Sequence, residues 1–418
     1  MKKIKRKNYK KRENLRWKLK KKKRFSFFLS QLYIIPKFFI LMLIIFYTGF
    51  IHIYYMRSIS LNNEIIETKE YKNFDDIKKN ITDPSIESIL QKINIIKHIF
   101  AKDIRKYKNS KNIIHITVSI NNDENYKYFL FVSIYSVLSN CNKRKTFVIY
   151  HILCSYDFSE SSIIIFKSLF KKYSHNLEMI FYNMGNLFIK YENIRTSQTT
   201  YYRILTPFFI GEDRIIHLDG DTLTFSDLSE MYNLDFNDNY ILGFYDVISG
   251  GVDYLGIKSD KYINAGVILL NLKKIREDKK TFELYNMAIN DITLYNGDQT
   301  ILNYVLFPKI GRFPSKYVIF NFEDEADIKV YLKFIRTKIP FEELVEAFKN
   351  PVIIHSVLSF PKLWSPDSLY SKRYTNCVQR NNCNATKYIK LWHSIAKKSD
   401  YYDIIANITK INKLISKL

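Results

Sequence analysis

The chain has 418 residues, of which 47% are hydrophobic and 25% charged, so a folded domain with one large core or two smaller ones is expected and a disordered polymer is excluded. Its formal net charge of +24 first suggests nucleic acid, but Lys2 to Arg24 alone hold 15 Lys/Arg against one Glu. With no zinc-finger spacing, no RNA-binding strand signature and no continuous basic helix in the body of the chain, nucleic acid is not an expected partner.

The first element after the basic block is Phe38 to Met56, about nineteen residues without a formal charge, roughly what a helix needs to cross a hydrocarbon core. Lys/Arg flanks favour the cytosolic side, so residues 1–37 read as a cytosolic tail, 38–56 as a single-pass anchor, and everything after Met56 as facing the other side. Residues 57–110 are polar and Lys/Asn/Ile-rich, helix-patterned from about Ser85 to Ile104, as a stem would be.

From residue 111 apolar strands alternate with helical stretches. Ile113 to Ile120, Thr146 to Leu153 and Leu177 to Tyr182 read as strands; Phe129 to Ser139 and Ser159 to Tyr173 read as helices. The pattern is that of an α/β sheet, in which ligands sit at the carboxyl ends of strands. Cys141, Cys154, Cys377 and Cys383 are too few for a disulfide scaffold and lack zinc-site spacing; they allow two bridges or none.

The most informative segment is Arg214-Ile-Ile-His-Leu-Asp-Gly-Asp-Thr-Leu-Thr-Phe225. Here an apolar strand runs into Asp219 and Asp221, with Gly220 giving the turn room, and two carboxylates at that spacing make a compact oxygen-ligand pair for Mn²⁺ or Mg²⁺. Taken alone the pair is also an ordinary acidic turn. Its neighbours, in order, are Asn121-Asn-Asp-Glu-Asn-Tyr126, Thr199-Thr-Tyr-Tyr-Arg-Ile-Leu205, Tyr262-Ile-Asn-Ala-Gly-Val-Ile-Leu-Leu-Asn-Leu272, Asn296-Gly-Asp-Gln-Thr300, and Ile353-Ile-His-Ser356 with Pro361-Lys-Leu-Trp364. In this order the set resembles glycosyltransferase family 8, the group that includes glycogenin and bacterial lipopolysaccharide galactosyl- and glucosyltransferases. The resemblance covers roughly residues 112–365.

The resemblance implies a GT-A fold, a mostly parallel twisted sheet flanked by helices, here over residues 111–365 behind the anchor, with 366–418 as a C-terminal helical extension. It implies transfer of a sugar from a UDP-sugar donor to a glycan, glycolipid or protein, with retention of anomeric configuration. Asp219 and Asp221 would hold Mn²⁺ (or Mg²⁺), with His355 as the third protein ligand. Asp123, Asn125 and Tyr126 would read the uridine, Arg203 would reach the donor sugar and diphosphate, and Asn264, Ala265 and Gly266 would line the donor sugar. Asp298 would grip sugar hydroxyls, and Gln299 would lie near the reacting face. An amide is a poor nucleophile, so front-face attack is favoured over double displacement.

Each position also has a structural reading: a capped turn at 123–126, a bulge at Gly266, a helix N-cap at 296–298. The last motif departs from the family's pattern. Leu358 stands where Gly is expected, and the lysine that meets the diphosphate is displaced by one residue, which leaves its assignment to Lys362 open. That departure supports the alternative of an inactive, membrane-anchored relative that binds a glycan or partner. A phosphohydrolase reading of Leu218-Asp-Gly-Asp-Thr-Leu223 fails because Leu223 replaces the Thr that chemistry needs. Nucleotide sugars reach a Golgi-type lumen, and Asn80-Ile-Thr, Asn384-Ala-Thr and Asn407-Ile-Thr are sequons, so a secretory-pathway lumen is favoured. The alternative is a bacterial inner membrane, with the basic front end lying along its surface.

Overall fold

The structure is a computed structural model that describes residues 89–99, 111–123, 125–189, 197–246, 261–290, 296–322, 324–335, 339–357, 362, 364 and 384–409. The expected tail, the anchor Phe38 to Met56, Asn80, Leu358, Cys377 and Cys383 lie outside these residues. No helix among the described residues is long and apolar enough to cross a membrane.

The strands come where the apolar runs place them. β1 (Asn94–Ile99), β2 (Asn112–Ile120), β3 (Thr146–Cys154) and β4 (Leu177–Asn183) alternate with α1 (Tyr126–Asn140) and α2 (Glu160–Tyr173). β3 is buried at all its positions, as parallel strands covered on both faces must be, and this is why it reads as one unbroken apolar run. A 3₁₀ helix (Gln198–Leu205) and the short α3 (Thr206–Phe209) then lead into β5 (Ile215–Leu218) and β6 (Thr222–Thr224). After α4 (Ser229–Tyr232) come β7 (Ile241–Tyr245) and β8 (Ile263–Leu270). α5 (Leu272–Glu277), α6 (Lys280–Asn290) and α7 (Asp298–Val305) follow. The chain continues through β9 (Ile310–Arg312), β10 (Val318–Phe320), α8 (Glu325–Phe334), α9 (Phe341–Lys349) and β11 (Ile353–His355) to α10 (Asn384–Ala396) and α11 (Tyr402–Thr409).

Eight strands form the main sheet in the order β1-β4-β3-β2-β5-β8-β7-β9. β4, β3, β2 and β5 run parallel to one another, but β8 is antiparallel to both β5 and β7, and β1 is antiparallel to β4. The sheet is therefore mixed rather than mostly parallel. The chain leaves the parallel half at β5 and returns alongside it in the opposite sense. One apolar layer, built on α1 and α2, covers one face; the other face is covered by the 3₁₀ helix, α6 and α7. A small second sheet, β10-β11-β6, stands beside the first.

One expectation changes. The stretch Ser85 to Ile104 is not one helix: Asn94–Ile99 is an edge strand, paired from Ile99 opposite Met179 to Asn94 opposite Asn183. Its isoleucines fit a helical spacing, but β-branched side chains favour a pleated, half-buried surface and the open edge of β4 offers one. The expected C-terminal extension is helical where it is described, in α10 and α11. Trp392 and Tyr401 pack: Trp392 is fully buried with its ring 5.9 Å from Phe129, and Tyr401 meets Phe131 at 5.3 Å. Cys141 and Cys154 are both buried and free.

Candidate active site

The acidic turn sits where the two sheets meet. β5 delivers Asp219 at its carboxyl end, Gly220 makes the turn, and Asp221 opens β6. A Cβ on Gly220 would fall 2.9 Å from Tyr126 Cζ, so the phenol at the head of α1 lies directly on the turn. β6 pairs with β11, which sets Thr222 opposite His355 and carries the imidazole to the carboxylates from far along the chain. His355 Nε2 lies 3.2 Å from Asp221 Oδ1 and 3.9 Å from Asp219 Oδ2. One ligand atom from each of the three residues falls within 4.8 Å of the others.

This set fits a divalent ion. Asp221 Oδ1 is buried and makes no well-aligned hydrogen bond, with the His355 imidazole 3.2 Å away, an arrangement that a cation held by both would complete. Two carboxylates and an imidazole suit Mn²⁺ better than Ca²⁺. Gly266 clears the space: a Cβ there would lie 2.6 Å from both Asp219 Oδ2 and His355 Nε2. The resemblance sets Gly266 beside the donor sugar; the structure shows it against Asp219 and His355, two of the residues that could hold the ion. It also lies in an irregular stretch of β8, where the pairing with β7 jumps from Ile268 to Asn264. The freed backbone groups find partners: Asp219 N–H donates to the Gly266 carbonyl at 2.7 Å and Gly266 N–H to Asn264 Oδ1 at 2.8 Å.

Arg203, on the 3₁₀ helix, ties three segments together. Its Nη2 contacts Asp219 at 2.9 Å and its Nε contacts Asp298 at 3.1 Å, while Nη1 donates to the Ala265 carbonyl. Burial disfavours its charge, but Asp219 and Asp298 outweigh that and hold it above its ordinary value. Burial likewise works against the Asp219 anion and is outweighed by Arg203 and His217, so the carboxyl stays well below its usual range. For Asp298 burial wins, over Arg203, and its carboxyl is pushed up to about 6. In this structure all three guanidinium nitrogens are engaged by the protein.

Gln299 and Asn264 converge on an acid the sequence reading missed. Asp246 Oδ2 accepts from both amides at 2.9 Å, and Gln299 Oε1 accepts the Ala265 N–H at 3.0 Å. The signal was present: Asp246 directly follows the apolar run of β7, as Asp219 follows β5. His217 was also missed. It is buried, with Nε2 3.2 Å from Asp219 Oδ1, and burial, then Arg203, lowers it to about 4, so it is neutral and orients the carboxylate.

Asp123 and Asn125 lie at the entrance to α1. Asp123 Oδ1 accepts the backbone N–H groups of Asn125 at 2.8 Å and Tyr126 at 3.0 Å, so the capped turn exists whatever else the residues do. Tyr126 is held above its ordinary pKa by burial and by Asp221 and Asp219. Lys362, whose assignment the sequence left open, pairs with Asp221 Oδ2 and donates to the Ser356 carbonyl at 2.7 Å. Trp364 stacks on Phe129 at 4.7 Å and meets Tyr126 edge-on at 6.4 Å.

A mixed α/β sheet flanked by helices, with an acidic turn at the end of β5, is a GT-A-like fold. The family model described as Glycosyl transferase family 8 matches residues 115–357, and the chain belongs to that family. Among relatives, a lipopolysaccharide 1,2-glucosyltransferase of Escherichia coli is 26% identical over 52% of this chain and 68% of its own length. Glycosyltransferase GlyE of Streptococcus pneumoniae is 28% identical over 41% of this chain and 38% of its own. A Haemophilus influenzae relative is 29% identical over 48% of this chain and 62% of its own, so the chain spans less than two thirds of two of these three proteins. Among solved structures, the bifunctional glycosyltransferase WbbM has a TM-score of 0.54 at 17% identity, covering 71% of this chain and 51% of that one. Galactosyltransferase LgtC, solved with donor and acceptor sugar analogues, has 0.50 at 21%, covering 69% and 96%. At these identities the likeness concerns the fold.

Proposed function

We propose that the protein is a divalent-metal-dependent, retaining hexosyltransferase that takes its sugar from a UDP-sugar and passes it to a glycan, glycolipid or protein. One observation carries this reading: Asp219, Asp221 and His355 meet within 4.8 Å around a buried carboxylate oxygen without a well-aligned hydrogen bond. Asp219, Asp221 and His355 would hold the ion, which when bound neutralises charge building on the leaving diphosphate. Tyr126 and Trp364 offer aromatic faces beside the acidic turn for the uracil, with Asp123 and Asn125 at its rim. Lys362, paired with Asp221, is a cation that would meet the diphosphate. Arg203 keeps Asp219 ionised and aimed. Asp298, Asn264, Ala265 and Gln299 form the wall against which the sugar would lie.

The Gln299 amide is oriented with its oxygen toward Ala265 N–H and its nitrogen toward Asp246. That geometry supports a positioning role rather than nucleophilic attack. The acceptor hydroxyl then enters on the face the diphosphate leaves, and the departing phosphate takes its proton.

The test is hydrolysis of UDP-glucose, UDP-galactose and UDP-N-acetylglucosamine by the full chain with Mn²⁺, with chelator, and with Asp221→Ala. Turnover that needs both Mn²⁺ and Asp221 supports the reading and identifies the donor. Nucleotide binding without turnover on any donor would favour an inactive relative instead.

The charge pattern of residues 1–56 supports a single-pass anchor with a cytosolic N-terminus, and the need for a nucleotide-sugar supply then favours a catalytic domain in a secretory lumen. Protease protection of the catalytic domain in sealed microsomes is the expected result; digestion without detergent would place it on the cytosolic side.

A further inference from the structure

The two carboxylates of the acidic turn each have a basic partner of their own, and the partners differ. Arg203 is 4% exposed at its side chain and fixed on Asp219 and Asp298. Lys362 is 29% exposed at its side chain and holds Asp221 from the solvent side, with the Ser356 carbonyl as its second anchor. A lysine is a compact charge on a flexible stem, so it can exchange partners where a forked, fully bonded guanidinium cannot.

Charge counting shows what this does. Asp219, Asp221 and Asp298 supply three negative charges when ionised; Arg203 and Lys362 return two. A divalent ion entering with Lys362 in place would leave the cluster net positive, with an ammonium and a metal ion on the two oxygens of one carboxylate. A nucleotide diphosphate brings at least two negative charges and gives both cations a shared partner.

We propose that Lys362 is the resident counter-cation of the Asp219–Asp221–His355 cradle and yields Asp221 when a nucleotide diphosphate draws it away, so that metal and nucleotide bind cooperatively. The inference rests on the metal reading above and adds the device that makes metal binding conditional on donor. Thermodynamic linkage makes the coupling reciprocal, so Mn²⁺ tightens UDP by the same factor as UDP tightens Mn²⁺.

The experiment is a titration of the full chain with Mn²⁺, following the electron paramagnetic resonance signal of free Mn²⁺, with and without UDP. Wild type, Lys362→Met, Lys362→Arg and Asp221→Asn are compared. Without UDP, Lys362→Met binds Mn²⁺ about ten-fold more tightly than wild type, and its tightening by UDP shrinks by a similar factor. Lys362→Arg keeps the charge, so without UDP it binds Mn²⁺ no more tightly than wild type. Unchanged or weaker Mn²⁺ affinity in Lys362→Met, while Asp221→Asn abolishes binding, overturns the proposal and leaves the metal site standing. If neither wild type nor Lys362→Met takes up Mn²⁺ even with UDP, the metal reading itself fails and the proposal falls with it.

Discussion

Gly266 and His355 are 89 positions apart in the sequence, yet a methyl group on the first would lie 2.6 Å from Nε2 of the second. The same methyl would lie 2.6 Å from Asp219 Oδ2, so two of the three proposed metal ligands depend on a side chain being absent. Gly266→Ala is expected to lower Mn²⁺ affinity at least about ten-fold, because the imidazole must turn away before the chain can close. Calorimetric Mn²⁺ titration checks it. Wild-type affinity in a folded variant would show that the imidazole is dispensable.

Gln299→Glu places a second carboxylate where the amide now donates to Asp246 at 2.9 Å. The variant is expected to lose about 1–3 kcal/mol of stability, from an unmade hydrogen bond and like-charge repulsion. Adding Asp246→Asn restores a donor and should recover much of the loss, which urea midpoints of the single and double variants will read. A covalent glycosyl-enzyme accumulating in Gln299→Glu would contradict front-face attack.

β1 makes a prediction about truncation. A chain that starts at Ser85 keeps Ile89, Leu90, Ile93 and Ile99, all buried, whereas one that starts at Lys108 exposes the edge of β4. Each fully buried isoleucine or leucine contributes about 1.5–3 kcal/mol, so the shorter chain should melt well below the longer one and associate through its open edge. Thermal melts and light scattering of the two chains give the comparison.

His393, buried on α10 beside Trp392, is lowered to about 4 by burial, with Lys397 adding to the effect. Its ordinary value is 6.5, so between the two values the unfolded chain binds a proton that the folded chain refuses, and stability rises with pH. The contribution is complete above about pH 6.5 and is lost as pH falls toward 4. From pH 7.5 to pH 5 wild type should lose about 2 kcal/mol more than His393→Phe, measured by urea unfolding. His217 shifts the same way in both proteins, so the difference isolates His393.

Much of the parallel half was legible because each strand is buried on both faces and appears as a run such as Ile113 to Ile120 or Thr146 to Leu153. β1 was not, since Asn94-Ile-Ile-Lys-His-Ile99 satisfies either periodicity and only the partner strand decides. Asp219, Asp221 and His355 could be named from motif order. Their meeting could not be derived, because it depends on β6 pairing with β11. Asp246 and His217 escaped for a different reason: each lies beside a recognised motif or strand and earns its role only through the hydrogen bonds it makes. Lys362 stood at an offset position, and no rule of spacing predicts which carboxylate a displaced lysine will reach.

The pairing of β6 with β11 also orders events in the life of the chain. A ribosome delivers Asp219 and Asp221 well over a hundred residues before His355 and Lys362, so a growing chain carries the two acids with neither the imidazole nor the ammonium that later flank them. The proposed metal cradle is therefore completed only late in synthesis. A chain cut short before residue 353 holds every strand of the main sheet, yet it lacks the imidazole and the ammonium that flank the acids.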